Sequence, residues 1–112
     1  MRNIKSKLKK LFNSTTCELE QVVIQECLDA ENPEEFIQDV LHWGCKSGIV
    51  SSLIYYSDTH KFFDQYYQDI ENLRTECDID PLTYNTGDLK NFLAWFGFEE
   101  TLYRIATKLG IE

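Results

Sequence analysis

The segment that most constrains this chain is residues 88–109, DLKNFLAWFGFEETLYRIATKL. Leu89, Phe92, Leu93 and Phe96 recur at i, i+3, i+4 and i+7, and Leu102, Ile105, Ala106 and Leu109 carry an apolar stripe onward past Phe98. This spacing predicts a core helix. Its ends are also written in the sequence. Thr86 suits an N-cap, Asp88 suits the positive end of the helix dipole, and Gly110 followed by Ile111 suits a C-terminal stop. The segment carries no catalytic signature.

The other segments repeat the helical period. Residues 3–12, NIKSKLKKLF, place Ile4, Leu8 and Leu11 on one side and lysines around the rest, which predicts a basic amphipathic helix. Its expected place is docked on the acidic body of its own chain. The alternative is an arm in which Arg2, Lys5, Lys7, Lys9 and Lys10 contact nucleic acid, membrane or an acidic partner. Residues 13–16, NSTT, read as a turn with a capping hydroxyl, after which Leu19, Val22, Val23, Glu26 and Cys27 keep helical spacing toward Asp29. Asn32, Pro33, Glu34 and Glu35 form the strongest start signal, with Asn as N-cap and Pro at N1. A third helix is expected from there to Gly44, with Phe36, Ile37, Val40, Leu41 and Trp43 facing inward.

Ile49 to Tyr56 give a short apolar run that suits a packed short helix, because one isolated strand would have no partner. Ser57, Asp58 and Thr59 offer a cap for a long helix reaching about Cys77, with Phe62, Phe63, Tyr66, Tyr67, Ile70 and Leu73 on its apolar stripe. Adjacent residues on a helix differ by about 100°, so the doubled tyrosines cannot all face one small core. Residues 78–87 are turn-rich and form the expected extended loop. The predicted fold is all-α, a compact bundle of five or six helices in a single domain over residues 1–112.

The formal net charge is −8, of which residues 1–12 contribute +5, leaving −13 on residues 13–112. A body of that sign repels nucleic acid and anionic membrane and favours basic protein surfaces. Seven Phe, six Tyr and two Trp bury about 150–250 Å² each and must dominate a core or an interface. Cys17, Cys27, Cys45 and Cys77 are irregularly spaced and no apolar leader follows the basic start, which predicts reduced thiols in a cytoplasmic protein. The longest apolar run is far short of the ~20 residues a membrane span needs.

Chemistry-bearing constellations are thin. His42 and Cys45 have H-x-x-C spacing, but no second close pair completes a zinc set, so no metal and no cofactor are expected. Asp58, His60 and Asp64 are the best acid/base candidates, and a surface ion pair accounts for them equally well. No phosphate loop, G-x-S-x-G or H-E-x-x-H is present, and no enzymatic activity is expected. More informative are Glu99 and Glu100 beside Trp95, since acids flanking an aromatic can grip an arginine-lined groove. On a helical wheel Trp95 lies off the apolar stripe, either at the core edge or exposed as an anchor.

The strings LIYYSDTHKFFDQYYQDIENLR (residues 53–74) and DLKNFLAWFGFEETLYRIA (residues 88–106) resemble small bacterial and phage proteins grouped as a domain of unknown function. The likeness spans residues 44–109 and leaves the segment before it unmatched. In size and charge the chain is similar to anti-CRISPR and antirestriction inhibitors. That resemblance implies a non-catalytic protein acting in the host cytoplasm on a defence protein, such as a CRISPR effector nuclease, without direct nucleic-acid or membrane contact. The surface expected to carry the contact comprises Trp95, Glu99, Glu100, Asp64, Asp69 and Tyr67. An exposed aromatic patch also leaves homodimerisation open.

Overall fold

The computed structural model describes residues 3–43, 56–79 and 89–111. They form six helices: α1 Ile4–Ser14, α2 Glu18–Asp29, α3 Pro33–Trp43, α4 Tyr56–Gln65, α5 Tyr67–Glu76 and α6 Leu89–Leu109. No strand occurs among the described residues, so the chain is an all-α bundle. Residues 49–55 of the expected short helix, the loop at residues 80–87, and the Thr86 and Asp88 start signals lie outside the described residues.

α6 packs against all five other helices. Leu93, Ala94, Phe98, Leu102, Ile105, Ala106 and Leu109 are buried along it. Phe96, placed on the core stripe by periodicity, is only partly buried, while Phe98 is 1% exposed. The reason is Gly97. A Cβ there would lie 2.7 Å from Ile70 Cγ1, so the missing side chain lets α6 approach α5, and the buried face centres on Ala94, Gly97, Phe98 and Thr101. Phe96 is two residues from Phe98, about 200° around the helix, and stays at the rim.

The end of α6 is closed as the sequence predicts. Ile111 N donates to Ala106 O at 3.0 Å and Gly110 N to Thr107 O at 3.2 Å, with Gly110 at φ 74° and Ile111 buried. This is the paired-bond Schellman ending. α5 ends the same way without a glycine. Ile79 N donates to Arg74 O and Asp78 N to Thr75 O, both at 3.1 Å, while Asp78 sits at φ 55°.

α1 is a docked element of the fold. Asn3 Oδ1 accepts from Ser6 N at 3.1 Å and caps it, and Ile4 and Leu8 are buried against α2, α3 and α6. α2 begins after Thr15 Oγ1 accepts from Cys17 N. Its buried side comprises Leu19, Val23, Ile24 and Cys27, with Val22 and Glu26 at the margin. Asn32 Oδ1 accepts from Glu35 N at 3.2 Å, the predicted cap of α3, and Phe36, Ile37 and Val40 are buried.

The single long helix expected up to Cys77 is instead two. α4 begins at Tyr56, upstream of the proposed Ser57–Thr59 cap, and the axis breaks at Tyr66, which lies at φ −110°, ψ 24°. The flanking hydrogen bonds survive, Tyr66 N to Phe62 O and Ile70 N to Tyr66 O, both 3.0 Å. Four aromatics in two adjacent pairs cannot all face inward along one straight helix. Breaking at Tyr66 buries Phe63 and Tyr66, leaves Phe62 partly covered, and turns Tyr67 out at 51% exposure.

Candidate functional site

The predicted interaction residues fall on α4, α5 and α6. Trp95 is partly buried at the edge of the core, and Glu99 follows it one turn later on the same side of α6. Glu100 faces the other way. Its Oε1 accepts from Arg104 Nε at 3.3 Å, and Arg104 Nη1 reaches Glu76 Oε2 on α5 at 2.7 Å. The hydrogen bond to Glu76 holds the Arg104 guanidinium above its ordinary pKa. Glu100 therefore belongs to the α5–α6 seam.

Asp64 is exposed near the end of α4, and Asp69 is partly buried in the first turn of α5 beside Cys17. Tyr67 projects from the start of α5, with its ring edge-on to Phe63 at 5.5 Å between centroids. Residues two apart differ by about 200° around a helix, so Tyr67 and Asp69 do not share a face. Trp95 and Glu99 lie one turn apart on α6, while Asp64 and Tyr67 flank the break at Tyr66, at the end of α4 and the start of α5. Sequence reasoning missed Tyr103, 39% exposed with its hydroxyl donating to Leu41 O at 3.3 Å, and missed Arg104 as the partner of Glu100. The Glu100–Arg104 spacing of four was a signal; Glu76 lies too far away in sequence to have given one.

Lys5, Lys7, Lys9 and Lys10 are all exposed on α1 and form no ion pair among the described residues. Arg2 lies outside the described residues. Lys5 and Lys9 line a groove together with Phe12, Leu28 and Asp29. A second groove begins at the next residue and is lined by Ala30, Glu31, Glu35, Phe36 and Asp39.

The three described thiols are poorly placed for nucleophilic work. Burial pushes Cys27 up to about 12. Burial also raises Cys17, with Asp69 adding to it, and raises Cys77, beside Glu100. All three move away from the thiolate that attacks or binds metal. Among the described residues no three His, Cys, Asp or Glu side chains converge to hold a metal ion. Cys45 lies outside the described residues, and Asp58 and His60 fall on α4. No described helix is long and apolar enough to cross a membrane.

A family model built on a domain of unknown function matches residues 3–111. The chain belongs to the DUF7222 family. The DUF7222 match reaches well beyond the expected likeness over residues 44–109 and takes in all six described helices. Basic α1 is therefore part of the DUF7222 domain. No curated protein and no solved structure matches the chain.

Proposed function

We propose that this DUF7222 protein is a non-catalytic inhibitor from a phage or mobile element, one that binds a host nucleic-acid-handling defence enzyme in the cytoplasm. The observation that carries the reading is Tyr67, a large aromatic held 51% exposed by the break at Tyr66, on a body of charge −13 and three residues after exposed Asp64. Aromatic anchors with carboxylates around them suit a basic groove, because the ring fills a pocket while the acids meet arginines. Trp95 with Glu99 offers a second contact of the same kind.

The test is binding of tagged protein to purified CRISPR effector nucleases with a nuclease-activity readout. Stoichiometric binding that inhibits cleavage, falls with salt and is lost in Tyr67→Ala with Asp64→Lys supports the reading. Salt-insensitive binding, or full inhibition by that variant, counts against it.

The lysine comb of α1 favours a second reading, a small regulator touching nucleic acid or membrane through Lys5, Lys7, Lys9 and Lys10. Removing α1 would not test it cleanly, because Leu8 is fully buried. Changing the four exposed lysines to glutamine is the appropriate variant; under this reading it abolishes nucleic-acid retention and leaves inhibitor binding intact.

A further inference from the structure

Two oppositely charged grooves meet at the end of α2. One is lined by Lys5 and Lys9, half-buried Phe12 and Leu28, and Asp29. The other opens at Ala30 and carries Glu31, Glu35 and Asp39 beside buried Phe36. These six charged side chains make no ion pair among the described residues. By contrast, Arg74, Arg104 and Lys108 are each paired.

A basic groove immediately beside an acidic one makes a self-complementary surface. A two-fold axis through the α2–α3 junction carries the lysine groove of one copy onto the carboxylate groove of the other, and the same rotation makes the reciprocal contact. A general polyanion drawn to Lys5 and Lys9 would meet three carboxylates alongside, and a general polycation drawn to the acids would meet the lysines. Only a partner carrying both signs in the reverse order satisfies both grooves. We propose that the partner is a second copy of this chain, forming an isologous dimer across the α1–α3 face. This proposal does not depend on the inhibitor reading, which uses α4, α5 and α6.

Sedimentation or light scattering of the full chain at about 0.1 M and about 1 M salt tests it. The expected result is a concentration-dependent dimer at low salt that dissociates at high salt. Lys5→Glu with Lys9→Glu, and separately Glu35→Lys with Asp39→Lys, should each weaken the dimer by roughly tenfold or more, since like charges then face one another at both contacts. Mixing the two double variants should restore a dimer, because every altered groove then meets its opposite. That recovery separates a surface effect from misfolding. A monomer at about 1 mM in low salt, a dimer indifferent to both reversals, or no recovery on mixing would overturn the proposal. So would a monomeric chain whose Lys5 and Lys9 hold an anionic polymer instead.

Discussion

The α5–α6 seam and the α1–α3 face solve the placement of charge in opposite ways. Across the seam Arg104 joins Glu100 to Glu76, and nearby Arg74 bonds Glu71 at 2.9 Å and Ile79 O. Lys108 extends the pattern from α6 to Glu20 on α2 at 3.0 Å. On α1 four lysines stand exposed with no ion pair among the described residues, although the body they rest on is strongly acidic. Charge attraction is therefore not what docks α1. Full burial of an aliphatic side chain contributes about 1.5–3 kcal/mol, whereas an exposed ion pair contributes about 0–1 kcal/mol. Buried Ile4 and Leu8 outweigh anything the lysines could add.

The largest test of that contrast is Leu8→Ala. Leu8 is 0% exposed, so the cavity should cost about 2–5 kcal/mol in denaturant unfolding. An arm merely resting on the surface would lose almost nothing. Next is Gly97→Ala at the seam. In an open helix this change would gain up to about 1 kcal/mol, but here the new methyl meets fully buried Ile70, and overpacking costs about 1–3 kcal/mol. A net loss is expected, and adding Ile70→Ala, which removes the crowding Cγ1, should cost less in the Gly97→Ala background than in the native one; stabilisation by Gly97→Ala alone would show that α5 yields easily.

A smaller pair of changes uses the two matched helix endings. Gly110→Ala forces a side chain into the left-handed region at φ 74° and should cost about 1 kcal/mol. Asp78→Gly, at φ 55°, should gain about 0.5–1 kcal/mol for the same reason. Equal and unchanged melting temperatures in both would mean that the paired backbone bonds, and not the dihedral, set the stop. Smaller still is the direct comparison of charges. Arg104→Gln removes two exposed ion pairs and should cost about 0.2–1 kcal/mol at low salt and less at high salt, while Lys9→Gln should be neutral in the monomer. A salt-sensitive loss at Lys9 would instead reveal a partner for α1.

How far the sequence carried the reading follows from which signals are local. The apolar stripe of α6 from Leu102 to Leu109, the Asn32 cap and the Gly110 stop depend on neighbours within a turn or two, and the structure places them where the sequence did. The break at Tyr66 was not legible because each half has a good helical pattern and only the competition among Phe62, Phe63, Tyr66 and Tyr67 for one core divides them. Phe96 was misplaced for a similar reason: what pulls the buried face toward Phe98 is Ile70, a residue of another helix against Gly97. The residues proposed for a contact surface share only polar or amphipathic character in the sequence; their grouping needed the third dimension, which put Tyr67 and Asp69 on opposite sides of α5 and drew Glu100 into the α5–α6 seam.

The smallest expected effect concerns a carboxylate on the unpaired side. Burial, with Asp29 nearby, raises the Glu26 carboxyl above its ordinary value of 4.5. The folded chain therefore holds that proton more tightly than the unfolded chain does. Stability from Glu26 is fully present below the unfolded pKa and is lost as pH rises through the folded one. At neutral pH the ionised, half-buried group is a net cost, so Glu26→Gln should raise the melting temperature slightly at pH 7, and the gain should disappear below about pH 4. Melting curves of both proteins across that range decide it. A gain that persists at low pH would trace to packing of the amide, and destabilisation at pH 7 would mean that Glu26 meets a positive partner, making the α1–α3 side less unlike the seam than its exposed lysines suggest.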